Sequence, residues 1–193
     1  LYLLLALALL VAAVFSAPLR SKVWVAFTAV ATAAVAVAIP SIGVLAGAGE
    51  IELMSSISSP LGEGKLSIDS LSAMFLLIIG LAGMATVLYS RGYLAHYLTK
   101  KSSAHISLHY TALVVLVLSM MLVVIADGSF LFLFAWELMT IASFLLILFD
   151  AERAEVLRAA LAYLVMMHIG FIFLVAGFVG IDSMCGNSSF EWL

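Results

Sequence analysis

The stretch Phe130-Leu-Phe-Leu-Phe-Ala-Trp-Glu-Leu-Met-Thr-Ile-Ala-Ser-Phe-Leu-Leu-Ile-Leu-Phe149 places a single ionisable residue, Glu137, inside an otherwise uncharged apolar run. At about 1.5 Å of rise per residue the run crosses a bilayer core of roughly 30 Å, and it lacks the two-residue alternation of a barrel strand. It reads as a transmembrane helix. A charge at the centre of such a helix costs roughly 2.5–3.5 kcal/mol on insertion scales, which makes Glu137 a candidate functional residue. On its own face only the Thr140 hydroxyl is a polar companion, so any stronger partner has to come from another helix.

The rest of the chain has the composition of a membrane protein. Of 193 residues, 66% are hydrophobic and 10% charged, with mean hydropathy +1.28, against about 25% charged in a soluble domain. The expected fold is an all-α polytopic transmembrane bundle of about six spans, near 1–16, 23–47, 69–90, 108–126, 129–149 and 159–181. The chain is read as one transmembrane domain over 1–193, part of a longer protein. The first span is not a signal peptide, because Arg20 and Lys22 follow its apolar run instead of preceding it. In the second, Gly43 and Gly47 have the spacing of a close-packing pair and Pro40 a kinking position.

Between the spans, Glu50–Lys65 reads as a polar loop, Asp69 or Ser70 as the cap of the third helix, and Asp127-Gly128 as a tight turn before the fifth. His96, His105 and His109 fall in a basic connection and are expected to be solvated near the headgroups, since no Cys, Asp or Glu there completes a metal-ligand set. Met120-Met121 and Met166-Met167 read as apolar filler. Seven of the eight basic residues lie in odd-numbered connections, leaving only Lys65 elsewhere. By the positive-inside rule the N-terminus is expected outside, with the basic connections cytoplasmic.

Two side chains are candidates for chemistry. Glu137 lies about 12 Å from the start of its helix, near the midplane, and His168 about 14 Å from the start of the sixth, which leaves them level or up to two turns apart. Both residue types can exchange protons near neutral pH, His without help and Glu when desolvation disfavours its anion. Each also has a structural reading, as an interhelical hydrogen-bonding group. A single cysteine, Cys185, rules out an internal disulfide or a cysteine-built iron–sulfur cluster, so no cofactor or metal is expected in this chain. Nothing suggests nucleic acid.

Phe134-Ala-Trp-Glu-Leu-Met-Thr140, preceded by Ala126-Asp-Gly128 and followed by Ser143-Phe-Leu-Leu, resembles the fifth helix of the antiporter-like subunits shared by respiratory complex I, Mrp-type sodium/proton antiporters and membrane-bound [NiFe] hydrogenases. Asp69-Ser-Leu-Ser-Ala-Met-Phe-Leu and Leu88-Tyr-Ser-Arg-Gly-Tyr93 resemble its third helix and following loop, and Tyr163-Leu-Val-Met-Met-His168 is most similar to hydrogenase-4 component B and formate hydrogenlyase relatives. The resemblance implies a proton-translocating subunit of a multi-subunit oxidoreductase, hydrogenase-linked or of the NADH:quinone oxidoreductase kind, in a prokaryotic plasma membrane. Glu137 then corresponds to the intramembrane proton carrier and His168 to a candidate relay. Partner subunits are expected to carry iron–sulfur clusters, with a NiFe centre or flavin as further candidates. The family's glutamate pairs with a lysine on a later helix, and no intramembrane Lys is expected in these six spans. An Mrp-type cation/proton antiporter subunit without redox partners, moving Na+ as well as protons, and a purely structural membrane module are the alternatives.

Overall fold

The computed structural model describes residues 9, 12–18, 21–59, 62–97 and 101–185, with the backbone alone at 54–59, 62, 63 and 182–185. Most of the expected first span lies outside these residues, and its described part is a short helical segment, α1 (12–16). Five helices long and apolar enough to cross a membrane follow. They are α2 (Lys22–Gly43, continued by a π-helical turn, Val44–Ala48), α3 (Ser70–Ala95), α4 (Ser103–Ile125), α5 (Ser129–Ile147, continued by a 3-10 turn, Leu148–Asp150) and α6 (Ala154–Cys185). The expected helical bundle is present. Its helices run past the anticipated ends, because Arg91 and the residues around His105 continue a helix once polar side chains reach solvent beyond the apolar span.

The bundle centres on α4, whose buried residues Ile106, Tyr110, Leu113, Val114, Val117 and Met121 contact α2, α3 and α5. On α2, Val23, Ala26, Val30 and Ala34 recur every three or four residues and meet a matching row on α3. The close approach belongs to α3. A Cβ at Gly83 would lie 2.7 Å from Val117 Cγ1, and one at Gly80 would lie 3.0 Å from Ala34 Cβ. Small residues are what let helix backbones approach in lipid. The glycine pair expected to do this, Gly43 and Gly47, has nothing within 4 Å, and Gly47 is needed for its backbone, at φ 99°. Pro40 sits within α2, just before the π-helical turn.

The expected polar loop is a β-hairpin. Strands β1 (Ile51–Ser59) and β2 (Gly62–Ile68) pair antiparallel, and β2 also pairs with the two-residue β3 (Ala126–Asp127), Lys65 opposite Asp127. The alternation Leu66, Ile68 puts both apolar side chains inside, at 8% and 0% exposure, while Lys65 before them and Ser67 between them are less buried. Asp127 is therefore a strand residue, and Gly128 at φ 143° makes the bend into α5. Asp69 caps α3 as expected, accepting from Ser72 N at 2.7 Å. The Ser72 hydroxyl, and after it this backbone N–H, hold the Asp69 carboxyl below its usual range.

At the other end, Lys22 begins α2 and is 1% exposed, its Nζ donating to Val14 O (3.3 Å) and Phe15 O (2.9 Å). A cation on the last carbonyls of α1 satisfies acceptors that the helix leaves open. His109, expected in a solvated connection, lies inside α4, half-buried against Phe149 (ring centroids 4.8 Å), Tyr110 and Tyr93.

Candidate functional site

Helices α5 and α6 form an antiparallel pair joined by the turn 148–153, and the turn fixes which of their residues stand level. Glu137 lies thirteen residues before Asp150 and His168 fourteen after Ala154. At about 1.5 Å per residue these are depths of roughly 20 Å and 21 Å from the same end. The structure accordingly brings them into contact, His168 Nε2 to Glu137 Oε1 at 3.2 Å. Of the two depths left open by the sequence, level or two turns apart, the level one is found.

The protonation of this contact is constrained by the other side of the imidazole. His168 Nδ1 lies 2.9 Å from Leu164 O, one helical turn back. A carbonyl oxygen only accepts, so Nδ1 carries the hydrogen. Nε2 then faces the carboxyl either as an acceptor or, in the imidazolium, as a donor. A hydrogen bond at 3.2 Å requires one proton between the two atoms, as neutral acid with neutral imidazole or as carboxylate with imidazolium. Both forms fit the same heavy-atom geometry, which is the arrangement proton transfer needs.

The Glu137 carboxyl has a second oxygen, Oε2, that is buried and has no hydrogen-bond partner among the described residues; the same holds for the indole Nε1 of neighbouring Trp136. Thr140, the companion expected on the same helix, donates instead to Trp136 O at 3.0 Å. Toward the hairpin end the two helices are joined by aromatic contacts, Phe132 stacked on Trp136 (5.8 Å) and edge-on to Phe178 (5.6 Å). The Glu137 side chain is 27% exposed and that of His168 45%, for among the described residues α6 packs chiefly on α5 and the 3-10 turn and leaves its remaining face open.

Neither described cavity contains the pair. A groove of about 640 Å³ between α2, α4 and α5 reaches Phe134 and Leu138, which flank Glu137, but not Glu137 itself. Its hydroxyls donate within their own helices, Thr28 to Val25 O, Thr32 to Thr28 O and Ser119 to Leu116 O. A smaller polar cavity of about 280 Å³ lies at the hairpin end, lined by Glu50, Asp69 and Asp127 among others. Among the described residues no cluster of His, Cys, Asp or Glu could hold a metal ion. Sequence reasoning missed one polar cluster, the ion pairs of Lys101 with Glu152 (2.8 Å) and Asp150 (3.6 Å), which join two connections far apart in the chain.

Comparison with known proteins agrees with this architecture. Residues 126–193, the span of both site residues, match the family described as NADH:quinone oxidoreductase/Mrp antiporter, transmembrane. An uncharacterized protein of Mycobacterium tuberculosis is 32% identical over 166 residues, 85% of this chain and 25% of that protein. A putative antiporter subunit mnhA2 of Staphylococcus saprophyticus is 31% identical over 122 residues, 63% of this chain and 15% of that protein. The chain thus spans a quarter or less of the length of these relatives. The fold recurs in the archaeal membrane-bound sulfane sulfur reductase (TM-score 0.79, 17% identity, 96% of this chain and 36% of that one) and in the Mrp complex from Dietzia (TM-score 0.64, 22% identity, 95% and 20%). The match over residues 126–193 and these relatives make the chain similar to antiporter-like membrane subunits of the complex I/Mrp type, and the solved structures add a likeness of fold.

Proposed function

We propose that the chain contributes a proton-transfer step to ion translocation by a multi-subunit membrane oxidoreductase, hydrogenase-linked or of the NADH:quinone oxidoreductase kind. Glu137 holds the proton and His168 relays it. The observation that carries this reading is the one-proton contact between His168 Nε2 and Glu137 Oε1, with the tautomer set by Leu164. Redox centres belong, on this reading, to partner subunits, in keeping with the likeness to a respiratory membrane complex. The membrane is a prokaryotic plasma membrane with the basic connections on the cytoplasmic side, following the distribution of Lys and Arg. Glu137→Gln, which keeps the shape and removes the exchangeable charge, is expected to reduce proton translocation strongly while the complex still assembles. Unchanged proton pumping in inverted vesicles overturns the assignment.

A second reading is an Mrp-type cation/proton antiporter subunit working without redox partners, favoured by the likeness to the putative antiporter subunits. Sodium-dependent proton exchange in vesicles given no electron donor supports it, and transport that requires a donor favours the first.

A further inference from the structure

We propose that Lys101 is a positioning residue for the Glu137–His168 pair, an electrostatic latch that sets the tilt of α6 from about 20 Å away. Lys101 lies in the connection between α3 and α4, where its N–H donates to Tyr97 O at 2.9 Å. Its side chain is 5% exposed and reaches the turn between α5 and α6, with Nζ 2.8 Å from Glu152 Oε1, 3.6 Å from Asp150 Oδ1 and 5.6 Å from the centre of the Phe149 ring. Phe149 packs in turn against Tyr97 (5.3 Å) and His109 (4.8 Å). One ammonium therefore ties the turn to α3 and α4. The Lys101 stem is shielded, whereas the Glu152 carboxylate is 76% exposed and that of Asp150 34%, so the hold on the turn comes from two carboxylates and an aromatic face acting on one ammonium and not from a single exposed pair, which is worth little.

The turn matters because little else holds α6. Of its described side chains only Ala160 is buried, and α5 with the 3-10 turn supplies its principal packing. His168 is about 21 Å along α6 from the turn, so a rocking of about 3° about the turn moves the imidazole by about 1 Å. The Nε2–Oε1 contact stands at 3.2 Å, already at the long end of the hydrogen-bonding range, and a displacement of that size breaks it. A slip of one residue, about 1.5 Å and 100° of rotation, removes it entirely.

The functional meaning of the latch rests on the proton-transfer reading above, whereas its geometry is tested apart from transport. The test uses the full-length subunit, assembled in its membrane, and the infrared band of the Glu137 carboxyl, in the acid or the carboxylate region according to which form of the pair is present, identified by its loss in Glu137→Gln. The position of that band reports the hydrogen bond, and His168→Leu gives the position for a broken contact. Lys101→Met is expected to move the band to the His168→Leu position, and Lys101→Arg to keep it at the wild-type position. A wild-type band in Lys101→Met overturns the latch. Where Lys101→Met does not assemble, the exchanged pair Lys101→Glu with Glu152→Lys decides, a wild-type band supporting the latch and a His168→Leu-like band overturning it. Transport by Glu137→Gln judges the proton-transfer reading alone, so the two can fail separately.

Discussion

Removing the imidazole while keeping the helix intact gives the sharpest measure of whether Glu137 and His168 act as one unit. His168→Leu deletes the only described partner of the Glu137 carboxyl, since Oε2 already has none among the described residues. A hydrogen bond to a charged group is worth about 1.5–3 kcal/mol, and about 1.36 kcal/mol corresponds to a factor of ten in rate, so translocation should fall by about 10- to 150-fold. Glu137→Gln should cost at least as much. Because both substitutions abolish the same transfer, the double variant should be no slower than the worse single one, whereas independent roles would multiply to about 10²- to 10⁴-fold. The assay is the initial rate of proton movement in vesicles normalised to assembled complex, for wild type, both single variants and the double variant. Multiplicative losses would refute the idea that the 3.2 Å contact carries the proton.

Other outcomes test the scaffold and the turn. Gly83→Ala puts a methyl 2.7 Å from Val117 Cγ1 and should destabilise the bundle by about 1–3 kcal/mol, seen as a lower thermal midpoint in detergent, while Gly43→Ala, with nothing within 4 Å, should not lower it. Asp69→Ala removes the cap of α3 and should cost about 0.5–2 kcal/mol by the same measurement. Lys101 holds the Glu152 carboxyl below its ordinary value of 4.5, so its contribution is present above that pH and is lost as pH falls through the lowered value. The protection of the α5–α6 turn against hydrogen exchange, taken relative to the intrinsic rate at each pH, should fall on acidification in that window, and Lys101→Met should already show low protection at neutral pH. The same contact raises Lys101 above 10.5, so protection should also fade at strongly alkaline pH.

The spans were legible because twenty apolar residues in a row have few other places to go, and Glu137 was legible because it interrupts one of them. Its partner was less so. Which residue of α6 stands opposite Glu137 depends on the exact length of the turn, and a two-residue error in either helix end displaces the level by about 3 Å. The hairpin was misread because Ser, Gly and Glu dominate Glu50–Lys65, yet the alternation at Leu66 and Ile68 was a strand signal in plain view. The glycines show a different limit. Spacing pointed to Gly43 and Gly47, whereas the contacts fell to Gly80 and Gly83, because which face of a helix meets a neighbour is settled by the bundle and not by the helix alone. Lys101 and its carboxylates are separated by about fifty residues, and nothing local announces such a pair.

The open face of α6 also bears on how the protein enters the membrane. While α5 is the newest helix in the bilayer, Glu137 is a carboxyl in hydrocarbon with Thr140 already bonded to its own backbone. The insertion penalty of roughly 2.5–3.5 kcal/mol is then unrelieved until His168 arrives. With α6 held chiefly by α5 and the turn between them, the two helices form a hairpin able to enter together, one supplying the acid and the other the base. In glycosylation mapping of ribosome-bound chains, α5 followed by hydrophilic sequence should insert less completely than the α5–α6 hairpin, and His168→Leu should narrow the difference. On this view the imidazole proposed to relay the proton first serves as the escort that lets its partner cross the translocon.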